Sequence, residues 1–131
     1  MASIAAARVC AGKCSVNIAF VTDSEIRALN RRYLSKDRPT DVLAFPGESD
    51  GGSFSGRKER EFFLGDIAIS SDTAYRNSRT YGVSFRDEIA RYVAHGVLHL
   101  GGYRDHKLSE RLKMRKMEDE ILQAAGKKIW E

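Results

Sequence analysis

All three histidines of the chain and one neighbouring aspartate lie in the segment HGVLHLGGYRDH, residues 95–106. His95 and His99 are four residues apart, so on a helix they occupy the same face, one turn from each other. Two imidazoles placed in this way can bind one metal ion, as they do in zinc sites of the HxxxH kind. The segment therefore predicts a metal site.

A third ligand is expected from the turn after this helix. Gly101 and Gly102 end the helix and allow the chain to turn back toward the open side of the two imidazoles. In the pattern HxxxHxxGxx(H/D), the last ligand falls on Asp105, and the histidine beside it is His106. A carboxylate oxygen binds zinc at about the same distance as an imidazole nitrogen, about 2.0–2.2 Å, so both side chains are candidates.

Two other interpretations of the segment carry less weight. A histidine on a largely apolar helix is usually a hydrogen-bonded core residue, but three histidines beside a double glycine and an aspartate favour metal binding. In HExxH metalloproteases, the residue after the first histidine is a glutamate that acts as the general base. Gly96 occupies that position here, so protease-like hydrolysis is only a distant third alternative.

The composition is that of an ordinary globular protein. The chain has 131 residues, is 42% hydrophobic and carries a formal net charge of +4. We expect a single domain, residues 1–131, because this length is typical of one domain with one core. The basic charge is compatible with nucleic acid without being specific for it.

No apolar run is long enough for a membrane span, which needs about 20 residues. The N-terminal MASIAAARVCAGKC lacks a basic region at its start, so we interpret it as helical rather than as a signal peptide. Cys10 and Cys14 are the only cysteines and lack CxxC spacing, which favours free thiols. These features predict a cytoplasmic protein with no membrane contact.

Three strands are predicted where β-branched and apolar residues alternate or run together. They are SVNIAFVT (15–22), DVLAFP (41–46) and FFLGDIAIS (62–70). The last is the most hydrophobic, and we expect it at the centre of the sheet. Between the second and third strands, residues 47–58 are rich in Gly and Ser and predict a flexible loop.

Four further helices are predicted from apolar spacing and from residues that cap helix ends. They cover DSEIRALNRRYL (23–34), about 71–81 before Gly82, about 84–100 with Ser84 as the cap, and about 108–124. The apolar residues expected to face inward on the last helix are Leu112, Met117, Ile121 and Leu122.

The histidine segment closely resembles the HGxLHLxGYDH signature of the YbeY family, bacterial metal-dependent endoribonucleases that take part in rRNA maturation. LNRRYLSKDRPTDVLAFP (29–46) resembles the family's LNxxYRxKDxPTDVLSFP segment, and FLGDIAIS resembles its LGDIVIS strand. The three stretches occur in the family's order and together span most of the chain.

The resemblance implies an α/β (α+β) fold, in which helices pack around a small mixed β-sheet and the metal lies above the histidine helix. It implies a single-strand endoribonuclease that acts on the 3′ end of the small-subunit rRNA and in ribosome quality control. The partners would be single-stranded RNA, rRNA and the small ribosomal subunit. The cofactor would be one divalent metal ion, with zinc the favoured identity.

The family's ligand pattern His-x₃-His-x₅-His maps onto His95, His99 and Asp105, so an aspartate stands where the family has a histidine. We favour Asp105 as the third ligand because it preserves the spacing of the turn. His106 is the alternative if Arg104 is an insertion.

A second departure concerns the catalytic residues. The family's YRxK segment carries an arginine implicated in RNA cleavage, and here that position is Leu34. Arg32 and Lys36 are weak catalytic candidates because they lie nearby, although each is more often a solvated surface charge. The catalytic residues are therefore left open, and a non-catalytic ribosome assembly factor with a structural metal remains the alternative function.

Overall fold

The computed structural model describes residues 2–7, 9, 14–47 and 62–130. The described helices are α1 (Ala2–Ala7), α2 (Asp23–Leu34), α3 (Ser71–Tyr81), α4 (Phe85–Leu100) and α5 (Leu108–Trp130), and the strands are β1 (Cys14–Val21), β2 (Val42–Pro46) and β3 (Phe62–Ser70). Helices surround a small mixed sheet, which confirms the expected α+β class. Apart from Gly47, the loop predicted at 47–58 lies outside the described residues.

Strand β3 lies at the centre of the sheet, as its hydrophobicity predicted. The strand order is β1-β3-β2, with β1 parallel and β2 antiparallel to β3. Leu64, Ile67 and Ile69 of β3 are buried. Because both neighbours pair with β3, this strand joins the whole three-stranded sheet.

Local capping sets the helix boundaries at the predicted positions. The Thr22 hydroxyl accepts a hydrogen bond from the Glu25 N–H, and the Glu25 carboxylate accepts one from the Thr22 N–H, which completes a capping box. Ser84 caps α4 by accepting from the Asp87 N–H. Gly82 ends α3 with a φ of 69°, in the left-handed region that favours glycine.

Helix α4 packs directly on β3 and forms the centre of the core. Tyr92, Val93, Val97 and Leu98 are buried. At Gly96 the helix comes so close to the sheet that an added Cβ atom would lie 2.9 Å from Cγ2 of Ile67. The absence of a side chain at this position therefore sets the distance between the histidine helix and the sheet.

Helix α5 differs from its prediction in one respect. Met117 and Leu122 are partly buried and Ile121 is fully buried, as expected. Leu112 was predicted to face inward, but it is exposed, so that prediction is wrong. The buried face of α5 runs through Met114 and Ile121, and Leu112 lies away from it.

Two further expectations concern the cysteines and membrane-spanning helices. Cys14 is disulfide-bonded, so the expectation of a free thiol there is wrong, and Cys10 lies outside the described residues. Among the described helices, none combines the length and the apolar character needed to cross a membrane.

Asp23 joins three elements at the end of the sheet. Its carboxylate accepts hydrogen bonds from Ser70 at 2.6 Å, from Thr73 at 2.7 Å and from Arg76 at 2.7 Å. The hydrogen bond from Ser70 has the largest effect, and together with those from Arg76 and Thr73 it outweighs burial and lowers the pKa of Asp23 to about 2. The charged form of Asp23 therefore stabilises the junction of α2, β3 and α3.

Replacing Gly96 with alanine is expected to destabilise the protein by about 1–3 kcal/mol, because the new methyl group overlaps Ile67 in a packed core. Urea unfolding measures the change. The matched control is Gly126→Ala on α5, where no described atom lies within 4 Å of an added Cβ. That variant should be unchanged or more stable by about 0.5–1 kcal/mol, and equal effects of both variants would contradict the close packing at Gly96.

Asp23→Asn is expected to cost about 1–2 kcal/mol of unfolding free energy at pH 7, because a charged acceptor of three hydrogen bonds is lost. Because the pKa of Asp23 is lower in the folded protein than its unfolded value near 3.9, the charged carboxylate stabilises the folded state above about pH 3.9. This contribution disappears as the pH falls toward about 2. The difference between the variant and the wild type should therefore shrink from pH 5 to pH 2.5 in denaturant titrations. Asp66→Asn, at an exposed carboxylate that accepts one hydrogen bond, from Asn17, is the control.

Candidate metal centre

Helix α4 presents His95 and His99 side by side at the surface of the core. Their Nε2 atoms lie 3.0 Å apart, as expected for two imidazoles one helical turn from each other. Both side chains are partly exposed, while the opposite face of the helix is buried. The two nitrogens therefore face a solvent-accessible space.

The turn after α4 brings a carboxylate to the same point. Gly102 has a φ of 96°, which glycine adopts readily, and this allows the chain to reverse. Asp105 Oδ2 then lies 3.3 Å from Nε2 of His99 and 3.4 Å from Nε2 of His95. Within the described part of the chain, these three residues form the group that can hold a metal ion.

His106 has a different environment. Its side chain is exposed, its backbone N–H donates to Oε1 of Glu110 at 3.1 Å, and its carbonyl accepts from Arg111 at 2.9 Å. These backbone contacts make His106 the residue that leads into α5. The geometry thus brings Asp105, and not His106, to the two imidazoles.

The three donor atoms have the spacing that a metal ion requires. Ligands at about 2.0–2.1 Å from a tetrahedral zinc ion are separated from one another by about 3.3 Å. The observed separations among His95, His99 and Asp105 are 3.0, 3.3 and 3.4 Å. Two nitrogens and one oxygen form a donor set suited to zinc, and the residues present therefore fit a divalent ion with one position left open.

Hydrogen bonds to the far side of each ring orient the donor nitrogens. Nδ1 of His99 lies 2.9 Å from the Tyr103 carbonyl, which can only accept, so Nδ1 carries the proton. Nδ1 of His95 lies 2.5 Å from Oε2 of Glu118. With the proton of each ring directed away on Nδ1, each Nε2 is turned toward the open space, where it can bind a metal ion, as in metal-binding histidines.

Glu118 connects this site to an ion-pair network with Arg91 and Asp119. It is buried, and its other carboxylate oxygen accepts from Arg91 at 3.0 Å, while Arg91 also contacts Asp119 at 2.7 Å. Burial lowers the pKa of His95, but the hydrogen bond that His95 donates to Glu118 and the charges of Glu118, Asp105 and Asp41 together outweigh it and raise that pKa. The site therefore favours a cation near His95, whether a proton or a metal ion.

A cavity of about 460 Å³ adjoins the two ligand candidates His95 and Asp105. Asp41 also lines it, and the Asp41 carboxylate accepts hydrogen bonds from the Thr40 hydroxyl and from the Val42 N–H. Asp66 does not line the cavity, and its exposed carboxylate accepts a hydrogen bond from Asn17 on the neighbouring strand.

The two weak catalytic candidates do not line this cavity. Arg32 is exposed, with its guanidinium 5.4 Å from the centre of the Tyr33 ring, and Lys36 is exposed just beyond the end of α2. Leu34, at the position of the family arginine, is also exposed. The cations that line the cavity are instead Arg91, Arg111 and Arg115.

Sequence analysis missed Glu118, although a signal for it exists. Met114, Glu118, Ile121 and Ala125 follow helical spacing, and all four are buried on one face of α5. A single charged residue at a core position of an amphipathic helix requires a partner inside the protein. That pattern indicates a functional or structural ion pair, but it does not reveal that the partner is His95.

The fold and the site together define a class: small α+β domains in which a helix and the turn after it present two imidazoles and a carboxylate to an open cavity. A comparison of the chain with known protein families agrees with this description. The family model described as endoribonuclease YbeY matches residues 1–126. The chain belongs to the YbeY family.

Individual relatives give the same result. The chain is 41% identical over 116 residues to an endoribonuclease YbeY of Aquifex aeolicus, covering 87% of this chain and 72% of the relative. It is 46% identical over 112 residues to one from Desulforamulus reducens, covering 85% and 72%. A Thermotoga maritima protein solved in solution matches 96% of this chain and 79% of its own, with a TM-score of 0.55 and 27% identity.

Glu118→Gln is expected to weaken zinc binding about tenfold, because the variant loses the charge that orients and polarises His95. Competition with a chromophoric chelator measures the affinity. Asp119→Asn is the matched control, because Asp119 contacts the same Arg91 but is exposed and has no hydrogen bond to His95. Equal losses in both variants would indicate that the effect comes from Arg91 and not from the histidine.

Proposed function

We propose that this protein is a metal-dependent endoribonuclease that cleaves single-stranded RNA at the candidate metal centre. His95, His99 and Asp105 hold one divalent ion, for which zinc is the favoured identity. The observation that carries the proposal is the triangle of two Nε2 atoms and one carboxylate oxygen, with sides of 3.0–3.4 Å, beside an open cavity. The relatives' name, endoribonuclease YbeY, supports the same activity.

A divalent ion with an open position supplies an activated water and screens the charge of a phosphoryl group. The protein contributes the orientation of the donors. Glu118 and the Tyr103 carbonyl hold protons on the Nδ1 atoms, which leaves both Nε2 atoms free to bind. The ion pair with Arg91 holds the buried Glu118 carboxylate in place.

The proposed substrate is rRNA, at the 3′ end of the small-subunit rRNA, with a further role in ribosome quality control. The small ribosomal subunit in the cytoplasm is then the partner that presents the single strand. The positive charge of the chain supports a polyanionic substrate, since lysines and arginines bind phosphates in a sequence-independent way.

A purely structural metal in an assembly factor is less favoured. Structural zinc sites are closed by four protein ligands, whereas catalytic sites have three and remain open. Among the described residues, the donor set contains three members, and two of them line the cavity. This arrangement supports catalysis over a structural role.

Purified protein should cleave single-stranded rRNA in a metal-dependent manner, and His99→Ala should reduce the rate at least about a hundredfold through loss of a metal ligand. Gel analysis of a labelled RNA measures the rate, with chelation and re-addition of zinc as a second arm. Undiminished cleavage by both the variant and the chelated protein would refute the proposal. Strong loss of melting temperature on chelation with no cleavage at any stage would favour the structural role instead.

The identity of the third ligand can be tested with two neighbouring variants. Asp105→Ala should lower zinc affinity about a hundredfold, because it removes one of three donors, whereas His106→Ala should change it less than threefold. Competitive chelation on folded protein measures both. The reverse order would show that the turn rearranges on metal binding and that His106 is the ligand.

A further inference from the structure

The rim of the cavity beside the candidate metal centre carries three exposed apolar side chains. The three most exposed large hydrophobic side chains among the described residues are Tyr81 (68%), Leu108 (63%) and Leu112 (62%), and all three line this cavity. Tyr81 ends α3, while the two leucines lie in the first turns of α5. Exposed apolar side chains from separate helices around one cavity indicate a binding surface.

Two arginines lie on the same side of α5 as these leucines. Leu108, Arg111, Leu112 and Arg115 are spaced as one helical face, and all of them line the cavity. Arg111 donates to the carbonyl of His106, and neither arginine has a carboxylate partner among the described residues. Both guanidinium groups are therefore available to an anion.

The charge of the cavity depends on the metal. Its lining includes four carboxylates and three guanidinium groups, from Asp41, Glu88, Asp105, Glu118, Arg91, Arg111 and Arg115. Without the histidines, these groups sum to one net negative charge, and a bound divalent ion would bring the sum to one net positive charge. A bound divalent ion would therefore strengthen the attraction of the cavity for an anion.

We propose that this cavity is a nucleotide subsite, in which Tyr81 stacks on a base of single-stranded RNA while Arg115 and Arg111 bind the adjoining phosphate. The inference rests on the proposed function and deepens it, because it names the residues that select the substrate. In the YbeY family, an arginine stands at the position that Leu34 occupies here. Arg111 and Arg115 provide positive charge beside the candidate metal centre, which Leu34 cannot supply.

The exposed Tyr81 ring explains a preference for single strands. Within the described residues, Tyr81 has no hydrogen bond and no ring contact, so its faces are free. A base can stack on such a ring only when it is unpaired and unstacked from its neighbours. The cavity volume of about 460 Å³ lies within the range that suits a small ligand such as a nucleotide.

The subsite can be tested by fluorescence anisotropy with zinc-loaded protein and a short labelled single-stranded RNA, whose integrity is checked on a gel. Tyr81→Ala should weaken binding about tenfold, through loss of one base stack, and Tyr81→Phe should restore it. Tyr75→Ala is the matched control, because Tyr75 is an exposed tyrosine on the same helix that does not line the cavity.

Arg115→Gln should also weaken binding, and it should reduce the slope of log affinity against log salt concentration by about 0.7, the loss expected for one phosphate contact on a single strand. Tyr81→Ala should leave that slope unchanged. Lys116→Gln is the control, because Lys116 is an exposed cation next in sequence that does not line the cavity. Melting temperatures verify that the variants are folded, and Arg115→Lys should retain the salt slope.

Failure of this inference can be distinguished from failure of the proposed function. If metal-dependent cleavage occurs but the Tyr81 and Arg115 variants bind RNA as their controls do, the subsite is refuted and the nuclease stands. If the variants weaken RNA binding as expected but the wild type never cleaves RNA, the subsite is supported and the nuclease is refuted. Absence of RNA binding by the zinc-loaded wild type refutes the subsite.

Discussion

The close packing of α4 on β3 is the constraint on which the rest of the structure depends. One face of this helix must fill the core, while the other must present His95 and His99 to solvent at a fixed separation. Gly96 makes both possible, because only a residue without a side chain lets the helix approach Ile67 so closely. The same residue removes the general base of the HExxH proteases, so one packing requirement also excludes that chemistry.

Helix α5 completes the site from a distance in sequence. Glu118 belongs to the buried face of α5, yet it holds the ring of His95 and pairs with Arg91. The other side of α5 carries Arg111 and Arg115 at the cavity. A single helix therefore contributes to the core, to the orientation of a candidate metal ligand and to the positive charge at the cavity, and a change in its rotation would alter all three.

Much of this arrangement can be predicted from local sequence, because local rules govern it. Thr22 with Glu25, Ser84 and Gly82 set the helix ends through short-range hydrogen bonds and a permitted positive φ. The i, i+4 spacing of the histidines likewise needs only helix geometry.

The contacts that were missed depend on tertiary structure. Glu118 is 23 residues from His95, and nothing local links them. The prediction for Leu112 was wrong because apolar character alone does not say which side of α5 meets the core. A leucine at the rim of a cavity has the same local pattern as a buried one.

The most direct test of the metal centre is the anomalous diffraction of a zinc-loaded crystal. We predict one zinc peak about 2.0–2.2 Å from the Nε2 atoms of His95 and His99 and from a carboxylate oxygen of Asp105, whereas a peak bound by His106, or no peak at these residues, would contradict it.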